Sequence, residues 1–305
     1  MLIIIIEVEK SNTKHQSGFV NIIGSPNVGK STLMNELVGT KLSIITSKAQ
    51  TTRHRIMGIV NDENYQIVFS DTPGVLDPAY KLHEGMMSFV ETALVDADLL
   101  LVVTDVFEEN INHESTYEKL QKLNIPTLVL INKIDLINQE KMEERVNYWA
   151  SKFEGASILP LSALHKTNVD FVMQWILKNL PEGPAYYDKD TLTDKPERFF
   201  AAEIIREKVL VNFKKEVPYC IEIEIEEFKE EEKLIRIRAL IHVARESQKG
   251  IVIGHQGDNL KKLGSQARKD MEVFFDKKVF LELFVKVNKD WRQDERKLKR
   301  FGYLS

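Results

Sequence analysis

An eight-residue string rich in glycine carries the strongest chemical signal in this sequence. Gly24-Ser25-Pro26-Asn27-Val28-Gly29-Lys30-Ser31 has the form G-x-x-x-x-G-K-[ST], follows the apolar run Phe19–Ile23 and precedes a helical pattern that continues with Thr32. In such a loop the backbone N–H groups and the helix N-terminus attract phosphate oxygens, and the lysine reaches the β- and γ-phosphates. Ser31 then offers its hydroxyl to Mg²⁺. The sequence therefore predicts a nucleoside triphosphate site.

A second candidate element, Asp71-Thr72-Pro73-Gly74, stands at the end of the apolar run Tyr65–Asp71. An aspartate in this place holds Mg²⁺, usually through a water molecule, and the Gly74 N–H senses the γ-phosphate and moves when that group leaves. By itself this tetrapeptide is an ordinary turn. Because it follows a phosphate-binding loop by one strand–helix–strand spacing, it predicts the metal side of the same site.

The segment Asn132-Lys133-Ile134-Asp135 follows the apolar run Thr127–Ile131 and predicts which base is bound. The Asp135 carboxylate can accept hydrogen bonds from the ring N–H and the exocyclic amine of guanine, an amine that adenine lacks. A buried carboxylate left unpaired is strongly unfavourable, so GTP is preferred over ATP. We expect Asn132 to tie this loop to the first one and the Lys133 stem to cover the base. Backbone N–H groups of Ser162-Ala163-Leu164 are expected to donate to guanine O6.

The composition limits the rest of the chain. With 305 residues and a net charge of −4, the chain is expected to form two globular domains, and any nucleic-acid signal has to be local. The single cysteine, Cys220, excludes an intrachain disulfide framework and a multi-cysteine zinc site. We expect it to be a buried strand residue in a reducing cytosol, with no disulfide-linked partner. The N-terminal apolar run covers only Leu2–Ile6, too short for a signal peptide or a membrane span.

Residues 18–181 alternate short apolar runs with longer amphipathic stretches, the pattern of a doubly wound α/β domain whose parallel sheet is covered on both faces. Residues 182–197 are rich in proline, glycine and charge and predict a linker. Residues 1–17 form an extension that is an edge strand, a disordered tail or the trace of an upstream start. The expected strands are Phe19–Ile23, Tyr65–Asp71, Leu99–Asp105, Thr127–Asn132 and Ser157–Leu161, and the expected helices cover 30–38, 82–95, 113–123, 140–151 and 168–179.

Residues 198–305 predict a smaller α+β domain, in the order helix, strand, strand, helix, turn, helix, strand. The turn Ile253-Gly254-His255-Gln256-Gly257 has the G-x-x-G form with which KH modules clamp about four single-stranded nucleotides, because glycine lets the chain approach phosphates closely. From Arg245 onward, 15 Lys and Arg residues stand against 9 Asp and Glu, a local excess that suits phosphate binding. The expected elements are a helix over 198–213, strands Tyr219–Phe228 and Lys233–Val243, two helices around Gly254 and a strand Lys278–Val287.

Together these motifs resemble the bacterial Era family of ribosome-assembly GTPases. The similarity covers residues 18–304 and includes GSPNVGKST, KAQTTRHRI, DTPG, NKID, SAL, a PEGP linker, AAEIIREK, the turn around Gly254 and the C-terminal VKVNKDWRQDERKLKRFGY. The family implies Mg²⁺-dependent GTP hydrolysis coupled to binding of the 3′ end of 16S ribosomal RNA during maturation of the 30S ribosomal subunit. It also implies a cytoplasmic protein that can associate peripherally with the inner membrane.

The resemblance also bears on individual residues. Gln50-Thr51-Thr52-Arg53-His54 offers a threonine that completes the Mg²⁺ shell of Ser31 and Asp71 in the GTP state. The pattern of related GTPases favours Thr52 over Thr51, and it makes Lys30, Thr52 and Gly74 the catalytic set; a surface threonine pair in a flexible loop is the alternative. RNA contacts are expected at Arg245, Lys249, Ile253, Gly254, His255, Gln256, Gly257, Lys261 and Lys262. The family usually has a basic residue or glycine between the two glycines, so we expect His255-Gln256 to weaken the attraction for phosphate and to leave the fold unchanged.

A further departure concerns catalysis. In Ras-like enzymes a glutamine that orients the attacking water follows the glycine of the D-x-x-G motif, whereas here Val75 follows it. We therefore expect slow intrinsic hydrolysis unless another group, a backbone carbonyl or a partner positions the water. His54, Arg53 and His83 are conceivable helpers, although solvated or structural roles are expected for each. The alternative function is a GTP-dependent factor whose second domain binds protein or lipid rather than RNA; an ATPase or kinase is nearly excluded by the NKID motif.

Overall fold

The computed structural model describes residues 14–109 and 114–304, and within them the chain forms two β-sheets. The first sheet has the strand order β2-β3-β1-β4-β5-β6, and all of its neighbouring pairs except β2–β3 are parallel. Its strands are β1 (Gln16–Gly24), β2 (Ile56–Asn61), β3 (Tyr65–Asp71), β4 (Leu99–Asp105), β5 (Thr127–Asn132) and β6 (Ser157–Pro160). The carboxyl ends of the parallel strands therefore meet at one edge, where ligands bind in open α/β sheets.

Helices cover both faces of this sheet because alternate side chains of each strand point to opposite faces. On β4, Leu101 and Val103 join one apolar cluster, whereas Leu100 and Val102 join another. The covering helices are α1 (Lys30–Val38), α2 (Lys81–Val95), α3 (Glu114–Lys122), α4 (Gln139–Lys152) and α5 (Val169–Asn179). The predicted doubly wound α/β fold is confirmed.

The expectation of a fully parallel sheet was wrong at one edge. β2 pairs with β3 in the antiparallel direction, and the Asp62 N–H donates to the Tyr65 carbonyl at 2.9 Å to close the turn between them. The polar residues 62–64 are typical of such a hairpin turn, but only β3 was predicted there. The sheet consequently has a mixed edge beside the segment 46–55.

The second sheet has the order β7-β8-β9, with β8 antiparallel to β7 and parallel to β9. Its elements in chain order are α6 (Glu197–Asn212), β7 (Glu222–Glu230), β8 (Leu234–Val243), α7 (Glu246–Ile253), α8 (Asp258–Phe275), β9 (Lys278–Val287) and the short α9 (Glu295–Arg300). This is the predicted KH-type α+β order, and α9 was not predicted. Cys220 is buried as expected, but it ends a 3₁₀ turn, Val217–Cys220, rather than lying in a strand; Pro218 has no N–H for the sheet ladder.

The predicted linker packs along the edge of the first sheet. Bridges join Glu182 to Gln16 and Thr193 to Gly58, and the Gln66 amide donates to the Tyr187 carbonyl at 2.8 Å. β1 begins at Gln16, two residues before the predicted domain start, and α6 begins within the predicted linker range. The hypotheses for residues 1–13 lie outside the described residues.

The C-terminal segment lies between the two sheets. Trp291, Leu298 and Tyr303 are buried against Leu82 and Met86 on α2, which places the chain end on the helix that follows the Asp71–Gly74 loop. The two domains are thus packed through an apolar contact that includes α2.

In residues 14–109 and 114–304 no helix is both long and apolar enough to cross a bilayer.

Candidate nucleotide-binding site

The carboxyl ends of β1, β3, β5 and β6 border a cavity of about 480 Å³, within the size range of small-molecule sites. It is lined by predicted residues from the segments that follow these four strands and, through Thr52, from the segment before β2: Pro26, Asn27, Gly29, Lys30, Ser31, Thr32, Thr52, Gly74, Asn132, Lys133, Asp135, Ser162 and Leu164. The other predicted residues, Gly24, Ser25, Val28, Asp71, Thr72, Pro73 and Ala163, belong to the same loops but do not line the cavity. The fold thus gathers motifs that are spread over about half of the chain.

The phosphate-binding loop has a backbone that few residues adopt. Gly29 has φ 101°, and a Cβ atom there would lie 2.2 Å from Asn132 Nδ2. A side chain at this position would therefore displace the asparagine that connects the loops. Asn27 also has a positive φ of 65°, which asparagine tolerates better than most residues.

Lys30 occupies the centre of this loop and is buried. Its Nζ donates to the Gly24 carbonyl at 3.0 Å and to the Ser25 carbonyl at 2.8 Å. Burial lowers the pKa of Lys30 to about 8, against the opposing effect of the Asp71 and Glu108 carboxylates. A phosphate group, which carries negative charge, would favour the protonated ammonium and offer it stronger acceptors than carbonyls.

The three predicted metal ligands lie within hydrogen-bonding distance of one another. Ser31 Oγ donates to Asp71 Oδ2 at 2.7 Å and lies 2.9 Å from Thr52 Oγ1, which itself donates to Asp71 Oδ2 at 3.2 Å. The other carboxylate oxygen, Oδ1, is buried and accepts no hydrogen bond from any described residue. Burial raises the pKa of Asp71, against the opposing effects of the Lys30 charge and of the hydrogen bonds from Ser31 and Thr52. Hydroxyl and carboxylate oxygens suit Mg²⁺, and the unpaired oxygen indicates that these residues fit such an ion.

Asn132 connects the base-recognition loop to two other loops. Its Nδ2 donates to the Val28 carbonyl at 2.7 Å, and its Oδ1 accepts the N–H groups of Lys133 at 2.8 Å and Ala163 at 3.0 Å. Asp135 lies beside it, where Oδ1 accepts the Ser162 hydroxyl at 2.6 Å. The carboxylate is therefore held in place at the wall of the cavity.

Two carboxylates at the end of β4 contribute to the site but were not predicted. Asp105 Oδ2 lies 2.6 Å from the Lys133 Nζ, which also donates to the Asn27 carbonyl at 2.8 Å. Glu108 is buried and accepts the hydroxyls of Ser25 and Thr104. Asp105 ends an apolar strand as Asp71 does, so its position was a usable signal; Glu108 lies in a loop without any recognisable motif.

The structure shows where Val75 and two of the conceivable helpers in hydrolysis, His54 and Arg53, lie. Val75 is 3 % exposed and packs in the core, with its N–H bonded to the Gly24 carbonyl at 3.1 Å. His54 is buried and stacked on Tyr303 at a centroid distance of 4.3 Å, and burial lowers its pKa to about 3. The Arg53 guanidinium contacts the second domain. Val75, His54 and Arg53 are not among the residues that line the cavity, and the slow intrinsic hydrolysis stays a prediction.

The predicted RNA contacts lie mainly around the turn between α7 and α8. Gly254 has φ 75° and its Cβ position would lie 2.7 Å from Asn259 Cγ; the Asn259 amide closes the turn by donating to the Ile251 carbonyl at 2.9 Å. Asn259 was missed by sequence reasoning. The exposed members of the set are Arg245, His255, Gln256, Lys261 and Lys262, with Lys249, Ile253, Gly254 and Gly257 half-buried. Arg245 stands at the opposite end of α7, about 12 Å from the turn at 1.5 Å per residue.

Replacing Asp135 with asparagine is expected to change the base preference. The carboxylate acceptor that matches two guanine donors would become an amide with one acceptor and one donor face, which suits a base with a carbonyl in place of the exocyclic amine. We expect guanine-nucleotide affinity to fall by about 100-fold and xanthine-nucleotide affinity to rise. Competition of fluorescent GDP by GDP, XDP and ADP measures this, with Asp170→Asn on the first turn of α5 as the matched control. An unchanged order of preference would remove Asp135 from the base site.

Two family models match this chain, one in each domain. Residues 19–133 match a model described as a 50S ribosome-binding GTPase, and residues 216–292 match a KH domain model. The first match ends within the base-recognition segment, and the second spans the turn around Gly254.

Similar proteins cover nearly the whole chain. The GTPase Era of Syntrophus aciditrophicus is 46 % identical over 292 residues, covering 94 % of this chain and 95 % of that protein. The chloroplastic GTPase ERA1 of Zea mays is 43 % identical over 300 residues, covering 95 % of this chain and 71 % of that protein. These similarities span both domains and the segment between them.

Two solved structures are similar to this chain in both fold and sequence. A crystal structure of Era in complex with MgGDPNP and nucleotides 1506–1542 of 16S ribosomal RNA has a TM-score of 0.91 and 40 % identity, covering 95 % of this chain and all of that one. A point variant of Aquifex aeolicus Era bound to GDP·AlF4⁻ gives the same score, identity and coverage.

Proposed function

The chain belongs to the Era family of GTPases, and we propose that it binds and hydrolyses GTP and binds the 3′ end of 16S ribosomal RNA in a nucleotide-dependent way. We propose that this activity serves maturation of the 30S ribosomal subunit, the role that the resemblance to the Era family implies. A relative binds MgGDPNP and nucleotides 1506–1542 of that RNA, and the two share 40 % of their residues in the compared region. We place the protein in the cytoplasm on the same family grounds; peripheral membrane association stays a prediction.

In the proposed reaction the protein positions GTP and neutralises its charge. Lys30 and the loop N–H groups hold the β- and γ-phosphates, while Asp135 and Asn132 fix the base end. Ser31, Thr52 and Asp71 would hold Mg²⁺, which supplies positive charge against the phosphate oxygens when bound. Thr52 and Gly74 would then respond to the γ-phosphate, since both line the cavity.

The observation that carries the switch is that the second domain holds the segment on either side of Thr52. Arg206 on α6 donates to the carbonyls of Gln50 and Thr51, and the Lys48 ammonium donates to carbonyls at the end of α6, those of Leu210 and Phe213. A cation near a helix C-terminus is favourable because it meets the negative end of the helix dipole. Any movement of Thr52 therefore has to move contacts with the RNA-binding domain.

Arg53 provides the third and most buried of these contacts. Its guanidinium is 0 % exposed and donates to the Ile221 carbonyl at 2.8 Å and to Glu222 Oε2 at 3.2 Å. Tyr303 donates its hydroxyl to the same carboxylate oxygen at 2.7 Å. Burial raises the pKa of Glu222, opposed by the adjacent Arg53. The residue next to the proposed metal ligand is thus bonded to β7 and to the C-terminal segment.

RNA binding is tested with a charge reversal at the turn. Lys261 and Lys262 are exposed and form no ion pair with described residues, so they are free for phosphate contacts. Lys261→Glu/Lys262→Glu should weaken binding of a 16S 3′-end RNA at least tenfold and lower the salt dependence of binding by about one to two phosphate contacts. Lys233→Glu/Lys278→Glu, two exposed lysines beside each other at the start of β8 and β9, makes the same charge change away from the turn.

Affinity is measured by fluorescence anisotropy at several salt concentrations, and GTP hydrolysis is measured on the same samples. The control pair is expected to bind within about twofold of the unmodified protein. Equal loss in both double variants would mean that net charge rather than the turn binds RNA. Unchanged affinity in the Lys261 and Lys262 variant would contradict the RNA-binding assignment and favour a protein or lipid partner.

A further inference from the structure

Glu108 is a buried carboxylate beside the phosphate-binding loop, and the proposed reaction gives it no role. It lies in the loop that follows β4 and is only 8 % exposed, although glutamate is seldom buried unless it is paired. It is not among the residues that line the nucleotide cavity. An acidic side chain therefore stands next to a site that is built to take an anion, where a negative charge is unfavourable.

Both oxygens of the Glu108 carboxylate accept a hydrogen bond. The Ser25 hydroxyl donates to Oε1, and the Thr104 hydroxyl donates to Oε2 at 2.5 Å. Two donors on two oxygens suit the ionised carboxylate, which only accepts, whereas a protonated carboxyl needs an acceptor for its own proton. Glu108 forms no ion pair within the described part of the chain, unlike the adjacent Glu109, which lies 3.9 Å from Arg145. Its negative charge is thus hydrogen-bonded but not neutralised by a contacting cation.

The charge of Glu108 acts on Lys30. The Ser25 carbonyl accepts the Lys30 ammonium at 2.8 Å while the Ser25 hydroxyl donates to Glu108, so one residue of the loop connects the two charged groups. The carboxylates of Asp71 and Glu108 oppose the effect of burial on the pKa of Lys30, which is about 8. Lys30 is the residue expected to hold the β- and γ-phosphates. The carboxylate that attracts Lys30 is therefore within Coulombic reach of those phosphates, and burial limits screening by salt.

We propose that Glu108 sets the affinity of this site for guanine nucleotides, because its charge repels the phosphates across the loop, weakens GDP binding and speeds GDP release. This inference rests on the proposed nucleotide binding. In the empty site the Lys30 ammonium and the Glu108 carboxylate attract each other. A bound diphosphate keeps that attraction and adds a repulsion between the carboxylate and the phosphates. A GTPase switch has to lose GDP before it binds GTP again, so this repulsion shortens the time spent with GDP bound.

The test replaces Glu108 with glutamine, which has the same shape and keeps a partner for each hydroxyl, since the amide oxygen accepts from one and the amide nitrogen donates to the other. We expect Glu108→Gln to bind GDP about 5- to 20-fold more tightly, mainly through slower dissociation. The equilibrium affinity and the dissociation rate of fluorescent GDP are measured in the presence of Mg²⁺. A pH of about 6.5 lies well below the Lys30 pKa of about 8, so that Lys30 stays protonated in both proteins.

Glu109→Gln is the matched control, because it removes the same charge from the adjacent, exposed residue. Its GDP affinity should stay within about twofold of the unmodified protein, since exposed charges are screened. The rise in melting temperature at a given GDP concentration should be larger in Glu108→Gln than in either other protein.

The outcomes separate the possible roles of Glu108. Weaker GDP binding in Glu108→Gln would show that the carboxylate supports the loop, and this result or an unchanged affinity would overturn the proposal. An equal gain in Glu108→Gln and Glu109→Gln would overturn it in favour of net charge. If the unmodified protein fails to bind GDP, the proposed function itself is wrong.

Discussion

Lys30→Ala is expected to weaken both GDP and GTP binding at least about 100-fold and to abolish measurable hydrolysis. Among the residues that the structure describes, the Lys30 Nζ donates to the carbonyls of Gly24 and Ser25, and the same position would place it against the β- and γ-phosphates. Removing one preorganised hydrogen-bond donor from a buried site costs about 2.7–4 kcal/mol of the stabilisation that the site provides. Isothermal titration with GDP and with a non-hydrolysable GTP analogue measures the loss.

The substituted chain should still fold. Burial lowers the pKa of Lys30 to about 8, so without nucleotide the surroundings of Lys30 disfavour its charged form relative to water. The melting temperature without nucleotide should therefore stay close to that of the unmodified protein, whereas the rise in melting temperature on adding GDP should disappear. Lys178→Ala at the exposed end of α5 is the control and should keep that rise. Retained GDP affinity in Lys30→Ala would contradict the placement of the phosphates.

Arg53→Met is expected to be the most destabilising single change at the domain boundary. Arg53 is fully buried, and its removal leaves the Glu222 carboxylate buried without its cation. Breaking one partner of a buried pair costs about 3–5 kcal/mol, whereas removing both charges together can be nearly neutral. We therefore expect Arg53→Met/Glu222→Gln to recover much of the lost stability, because the glutamine oxygen can still accept the Tyr303 hydroxyl.

In these two variants, the free energy of unfolding and the effect of the bound nucleotide on RNA affinity should change independently of each other. The double variant is expected to unfold close to the unmodified protein in urea, yet its RNA affinity should respond less to the bound nucleotide, since the link between residue 53 and β7 is gone. Urea unfolding and RNA binding on the same preparations measure both. Full recovery of the nucleotide response in the double variant would show that this contact stabilises the domains without transmitting the state of Thr52.

The sequence predicted those site residues that lie at strand ends. Asp71 and Asn132 each end a buried apolar run, so the parallel arrangement alone places them at one edge of the sheet. The antiparallel β2 was missed because its short run follows a polar segment and carries no site residue. The type of domain could likewise be predicted in the second half from the order of its helices and strands.

The contacts between residues that are far apart in the sequence could not be predicted. Arg206 is 156 residues from Gln50 and Glu222 is 169 residues from Arg53, and both pairs depend on how the second domain packs against the segment around Thr52. Arg53 and Glu222 would each look like a solvated surface charge, because charged residues are seldom fully buried. Only the packed structure places them together.

The central claim is that the nucleotide state controls RNA binding, and one measurement tests it most directly. The affinity of the full chain for a 16S 3′-end RNA is determined in the presence of Mg²⁺ with GDP and with a non-hydrolysable GTP analogue, at one fixed salt concentration. We expect the RNA affinities with GDP and with the analogue to differ at least about fivefold, a typical lower value for coupling between two sites. The analogue should give the tighter complex. Equal affinities in the two states would contradict it.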